Sequence, residues 1–504
     1  MLAHIELDQN FSHYTNLDII SGRVVVKTPS STNISSIVVK LEGESRTRLL
    51  PPPNPNGDRQ RAQLEFHKIL YKIQIVFPPP DVLEEKQSTI IAGKTTFTLP
   101  PGQHEYPFRF KFPFNNDCTA SSSMNPTVSL FGGLNVDVAR IPPKHVKGTL
   151  PPTLTGFPGE AEIRYYLKTT VNRPSLFKEN ARAYVPFNFC PIEPPRPPVT
   201  DAQVFARRRH EFFNSHAEKG PSKSRMKSFL GRDKSAQEAA APKHPSIAID
   251  MRLPEPAILT CARELPLRIL IISTNGVKQS MSLQSLQVEL ISITVVRAHD
   301  ISRTEQSSTI IASLSNIGTP INFPEGSDEA EIDSRMWHTQ VLPNTIPPSF
   351  VACNISRSYE IVTRTCIKYE SVGSQPQFIT ADLRLPVQVF SGVTPPKGLL
   401  EALNRAQPHA RDSKSSERMP PLPTRRPVPK PSTTASQGAS HSASHSLGGA
   451  NGDAPPLYSE APPSYEDAIT HEVAETLEPE HGMRRDYAPP PAAEDPLLGR
   501  DEKS

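Results

Sequence analysis

Proline occupies 56 of the 504 positions, about one residue in nine and roughly twice ordinary usage. Each proline fixes φ, removes a backbone donor and pushes the residue before it out of the helical region, so this chain cannot be mainly helical. What remains open is a fold of extended segments separated by proline-rich loops. Such loops stand at 50–58 (LPPPNPNGD), at 77–85 (FPPPDVLEE) and from Asn115 to Thr155.

Between the loops the pattern is that of strands. Segments 19–29, 34–43, 69–77, 104–112, 161–171 and 182–189 are rich in β-branched and aromatic residues and end at Pro, Gly, Asn or Ser clusters. In 104–112, Tyr106, Phe108, Phe110 and Phe112 recur at period two, which puts all four on one face of a strand. No intervening stretch sustains a 3.6-residue period, so parallel crossover units are disfavoured and antiparallel sandwiches are expected. A second strand-rich block carries runs at 246–253, 266–274, 286–296, 350–367 and 378–390. The expected fold is all-β, with two tandem antiparallel β-sandwiches over 1–195 and 246–392. After Gly392 the apolar pattern stops, and burial there cannot offset the entropy of ordering; 393–504 is expected to be a disordered proline-rich tail, with a short helix near 398–406.

Composition narrows the function classes. Lys and Arg total 55 against 52 acidic residues, a net charge of +3, which argues against a nucleic-acid partner bound through counterion release. Five cysteines (Cys118, Cys190, Cys261, Cys353, Cys366) are widely spaced without a CxxC pair, so buried reduced thiols are expected, with neither a disulfide framework nor a zinc ribbon. The histidines show no metal-ligand spacing, and GxSxG, HExxH, GxGxxG and GxxxxGK are absent; no catalytic residue, metal or cofactor is expected. The N-terminus has no basic flank leading into an apolar run, and the longest apolar runs fall short of the roughly 20 residues of a spanning helix. A cytoplasmic protein recruited to the plasma membrane or endosomes is expected.

Two segments invite a contact reading. Residues 201–245 hold 10 basic against 5 acidic residues and read as a basic flexible insert. Within it Lys223, Arg225, Lys227 and Phe229 form a candidate contact with an anionic membrane surface, since each cation near such a leaflet contributes roughly 1 kcal/mol. The bland alternative is a solvated loop. In the tail, Pro420, Pro423 and Arg425 have the spacing of a PxxPx+ ligand for Src-homology-3 domains, set against a plain proline-rich linker.

The sharpest motif is a pair: PPLY at 455–458 and PPSY at 462–465. Pro455–Pro456 and Pro462–Pro463 preset polyproline II, which seats on the aromatic groove of a WW domain at little entropic cost, and Tyr458 and Tyr465 fill the neighbouring pocket. Composition alone predicts about 0.14 PPxY motifs in a chain with these Pro and Tyr counts, so two within eleven residues are not accidental. The tyrosines lie seven residues apart, about 22 Å if extended, so rebinding of one module between the motifs is expected over side-by-side occupancy. The 62 residues between Gly392 and Pro455 would span roughly 39–47 Å as a flexible linker.

The first block resembles the arrestin N-domain through SGRVVVKTP at 21–29, ISSIVVKLEGESRTR at 34–48, LPPGQHEYPFRFKFP at 99–113 and EIRYYLKTTVNRPSLFKENARAYVPF at 162–187. The second block resembles the arrestin C-domain through FVACNISRSYEIV at 350–362 and LRLPVQVF at 383–390. With its two PPxY motifs the chain is similar to the α-arrestins, the arrestin-related trafficking adaptors best known in fungi. That resemblance implies a non-enzymatic adaptor: PPxY motifs recruit a WW-domain HECT-type ubiquitin ligase, and the sandwiches engage a plasma-membrane transporter or receptor as cargo for ubiquitylation and endocytosis. The alternative is an arrestin-fold signalling scaffold or trafficking-coat subunit without ligase recruitment.

Overall fold

A computed structural model describes residues 1–53, 61–79, 96–118, 145–174, 178–198, 200–212, 245–274, 280–371 and 375–406. The first unit comprises β1 (Leu2–Leu7), β2 (Ile19–Thr28), β3 (Thr32–Ile34), β4 (Ser36–Leu49) and β5 (Gln63–Phe77). It continues with β6 (Phe97–Leu99), β7 (Gly102–Lys111), β8 (Leu154–Phe157), β9 (Ala161–Asn172) and β10 (Ala181–Phe187). One sheet has the order β1–β2–β7; the other runs β10–β9–β4–β5 with β8 on β9, and β3 pairs with β6.

Alternation explains the layering. Ile20, Val24 and Val26 of β2 and Phe108 and Phe110 of β7 point into a core that also holds Val39 and Leu41 of β4 and Ile163, Tyr165 and Leu167 of β9. The period-two aromatics behave as expected: Phe108, Phe110 and Phe112 are buried and Tyr106 packs against the same core. Pro107 falls within β7 because β7 is the edge of its sheet, where a missing donor costs no ladder bond. Gly43 is a spacing requirement: a Cβ there would lie 2.6 Å from Cε1 of Tyr165, whose ring fills the space while its hydroxyl donates to the Pro151 carbonyl at 2.6 Å.

The second unit comprises β11 (Gln203–Glu211), β12 (Ser246–Pro254), β13 (Ile258–Thr260), β14 (Arg268–Ser273), β15 (Ser280–Ala298) and β16 (Ile301–Leu314). Then come β17 (Thr319–Pro320), β18 (Glu329–Glu331), α1 (Arg335–His338), β19 (Phe350–Val351), β20 (Ile355–Glu370), β21 (Gln377–Phe390) and α2 (Lys397–Ala406). A four-stranded sheet, β11–β12–β14–β18, faces a larger one ordered β13–β21–β20–β15–β16, with β17 and β19 attached. Every ladder among the described strands is antiparallel except the short β13–β21 pairing, which is parallel. The helix expected near 398–406 forms at Lys397–Ala406, with Leu399 buried.

One expectation needs correction. Residues 201–245 are not loop throughout, because Gln203–Glu211 forms β11 and pairs with β12 over its whole length. The physical reason is Asp250, fully buried on β12, whose two oxygens accept from Arg207 Nε at 2.6 Å and Nη2 at 2.7 Å, with Arg252 Nη2 at 2.9 Å. A buried carboxylate requires such partners, and β11 supplies one. Burial raises the Asp250 pKa, but the hydrogen bonds from Arg207 and Arg252 win and hold it below the ordinary carboxylate value. Arg207 is therefore committed to an ion pair and is not part of a free basic surface. The second unit begins near residue 200.

Two strands cross from one unit into the other. The first part of β15 places Met281, Leu283, Leu286, Val288 and Leu290 in the core of the second unit, whereas Val296 and Ala298 at its end belong to the core of the first. Likewise Ile355, at the start of β20, packs in the first core, and Tyr359, Ile361 and Ile367 in the second. Each fully buried aliphatic side chain contributes about 1.5–3 kcal/mol, so this interdigitation ties the sandwiches together.

Candidate functional site at the seam between the sandwiches

The two-residue turn between β15 and β16 brings His299, at φ +57, against the start of β5. There Glu65, only 2% exposed, accepts from Arg297 Nη2 at 2.8 Å, from the His299 backbone N–H at 2.5 Å and from His67 Nε2 at 2.7 Å. Burial raises the Glu65 pKa, but these donors outweigh it and hold the carboxyl ionised below its ordinary value. Arg297 Nη2 also donates to the Cys353 carbonyl at 2.7 Å.

Beside this pair runs a polar ladder. Ser45 donates to Asn354 Oδ1 at 2.5 Å, Thr47 donates to the Arg297 carbonyl at 2.6 Å, and Asn354 Nδ2 donates to Thr47 Oγ1 at 3.2 Å. Such hydrogen bonds are directional, so they fix how the sandwiches sit as well as that they touch. Nearer the linker, Arg196 Nη2 donates to Thr260 Oγ1 at 2.9 Å, and the Glu193 N–H donates to the Val393 carbonyl at 3.0 Å, fastening the end of the second unit to the end of the first.

At the deepest point four side chains converge: His67, Cys118, His145 and Cys353, whose donor atoms all lie within 4.8 Å of one another. Alternation along β5 points His67 inward, opposite Ser45 of β4. Cys118 follows β7 on a segment held against β5 by the Asp117 N–H donating to the Ile69 carbonyl at 3.0 Å. His145 lies on the returning segment. Asn116 links the two: its N–H donates to the Gly148 carbonyl at 2.8 Å, its Nδ2 to the Val146 carbonyl at 3.1 Å, and its Oδ1 accepts from the Cys118 N–H at 3.3 Å. Cys353 arrives from the second unit on the tight connection between β19 and β20, and its sulfur accepts from the Val146 N–H at 3.5 Å.

Cys118 Sγ lies 3.4 Å from His67 Nδ1 and 3.2 Å from His145 Nδ1. Hydrogen bonds from Cys118 and then from His67 draw the Cys353 thiol below its ordinary pKa despite burial, while Cys118, donating to Cys353 in a buried place, is pushed up. Burial disfavours the His67 cation, but hydrogen bonding to Cys353 and Glu65 more than compensates and raises its pKa. His145 Nε2 is buried without a hydrogen-bond partner.

The fold thus brings four potential ligand side chains together. Cys118 stands 51 residues from His67 and 27 from His145, and Cys353 comes from the other sandwich, so no local spacing announces it. The residues singled out from sequence, Lys223, Arg225, Lys227 and Phe229, Pro420, Pro423 and Arg425, and Pro455, Pro456, Tyr458, Pro462, Pro463 and Tyr465, lie outside the described residues. Among the described residues, no helix is long and apolar enough to cross a membrane.

Comparison with known proteins agrees with this architecture. Residues 3–186 match the family model described as arrestin (or S-antigen), N-terminal domain, a range that runs from β1 to the end of β10. The chain is also similar to two curated relatives, both called arrestin-related trafficking adapter 10. Identity is 27% over 116 residues to the one from Lachancea thermotolerans, covering 22% of this chain and 26% of the relative. It is 32% over 142 residues to the one from Zygosaccharomyces rouxii, covering 27% and 28%. The first sandwich is thus similar to an arrestin N-terminal domain, and part of the chain is similar to arrestin-related trafficking adapters. The aligned parts span about a quarter of these relatives' length.

Proposed function

We propose that this arrestin-related chain is a non-catalytic adaptor that brings a WW-domain HECT-type ubiquitin ligase to transporters or receptors at the plasma membrane, promoting their ubiquitylation and endocytosis. The observation that carries the reading is the pairing of PPLY and PPSY on one chain with an arrestin N-terminal domain. Each half has its own physical task. The sandwiches, tied by shared core residues and the buried Glu65–Arg297 pair, offer a firm surface for cargo, while the motifs present prolines and tyrosines suited to a WW groove. Lys223, Arg225, Lys227 and Phe229 are assigned to an anionic membrane surface, which would hold the adaptor beside its cargo from the cytoplasmic side.

In cells carrying Tyr458→Ala with Tyr465→Ala in place of the natural chain, a subset of plasma-membrane proteins is expected to lose most of its ubiquitin conjugates and to persist at the surface. Quantitative comparison of ubiquitylated peptides and surface proteins reads both effects. Equal ubiquitylation and turnover in the two strains would overturn the reading.

A further inference from the structure

We propose that His67, Cys118, His145 and Cys353 bind a single zinc ion that clamps the two sandwiches together. Two thiolates and two imidazoles in a compact group are the donor set of a closed tetrahedral site, and their chemistry favours zinc over calcium or magnesium, which prefer oxygen. With Zn–S near 2.3 Å and Zn–N near 2.0–2.1 Å, tetrahedral geometry places neighbouring donors about 3.3–3.8 Å apart. The sulfur of Cys118 already stands 3.4 and 3.2 Å from the two imidazole nitrogens, and no pair in the group exceeds 4.8 Å.

The surroundings are built for a cation as well. His67 turns Nδ1 toward the cluster and its Nε2 toward Glu65, the carboxylate–histidine arrangement that fixes tautomer and ring orientation in metal sites. Glu65 is itself held by Arg297 and the His299 N–H. The charges close: binding releases the thiol protons of Cys118 and Cys353 to solvent, two thiolates then balance Zn²⁺, and Glu65 balances Arg297. A buried site with that balance avoids the penalty of an uncompensated charge.

Placement gives the ion a task. Three ligands come from the first sandwich and Cys353 comes from the second, so binding energy appears as attachment between the two units and depends on their docking. Within the first sandwich the ion would also tie Cys118 to His145 across the segment that separates them. A closed four-ligand site leaves no position for substrate, so its role is structural.

The full chain, produced with zinc in the medium and desalted into metal-free buffer, is expected to carry about one zinc per chain. Cys118→Ser with Cys353→Ser should fall to about a tenth of that or less, while Cys366→Ser, outside the cluster, keeps the full content. Because the double variant risks misfolding, the wild-type chain is also exchanged with Co²⁺, where the intense visible bands and thiolate-to-cobalt charge transfer of tetrahedral coordination are expected. A wild-type chain with neither zinc nor that cobalt spectrum overturns the proposal. So does an intact mass short by two hydrogens from a Cys118–Cys353 disulfide, or a double variant that keeps its zinc.

Discussion

Glu65→Ala is expected to destabilise the docked pair of sandwiches by about 3–5 kcal/mol, the cost of breaking a buried ion pair from one side. Its carboxylate, 2% exposed, serves three donors at once, so removal leaves the partly exposed Arg297 guanidinium, the His299 N–H and the buried His67 Nε2 without it. Arg297 keeps its bond to the Cys353 carbonyl, which relieves only part of that loss. Glu65→Gln retains shape and one acceptor oxygen and should lose less. Removing both charges, as Glu65→Leu with Arg297→Met, should recover part of the stability, leaving the His299 N–H and His67 Nε2 unpaired at about 1–3 kcal/mol each. Thermal unfolding of the four proteins at one pH orders them; a loss under about 1 kcal/mol for Glu65→Ala would show that the seam is solvated and the pair unimportant.

Trp337→Ala is expected to be equally severe and to act on the second sandwich alone. Trp337 is the chain's single tryptophan, 1% exposed on α1 among core residues of that unit. Its indole N–H has no partner, so the contribution is packing, and truncation of a buried tryptophan costs about 3–5 kcal/mol with the cavity left behind. Trp337→Phe, which keeps an aromatic ring, should lose less. Calorimetry checks both: the transition belonging to the second unit should move down while the other moves only through loss of docking. An unchanged transition of the second unit in Trp337→Ala would contradict the assignment of this residue to the core.

The sandwiches were legible in the sequence because strands with one buried face write their register as period-two alternation, seen in Phe108, Phe110 and Phe112. Strands whose outward residues are polar were harder. β16, ISRTEQSSTIIASL, sits at a sheet edge with polar residues along most of its length, a composition that guards an edge and also hides a strand. β11 was read as basic loop because its arginines dominate the pattern, and only the buried Asp250 on its neighbour explains Arg207. The His/Cys cluster could not be read at all: it depends on a fold that brings together four distant positions, one of them from the second sandwich. Linear motifs are the opposite case, since PPLY and PPSY each place the residues of the proposed WW ligand within four positions.

The central claim is that the chain recruits a ligase through those two motifs, and it is tested most directly by titrating WW domains of a HECT-type ligase against the full chain. Wild type, Tyr458→Ala, Tyr465→Ala and the double substitution are compared at one salt concentration. Binding by wild type, weaker binding by each single variant and none by the double variant is the predicted result. Failure of wild type to bind, or undiminished binding by the double variant, would contradict the claim.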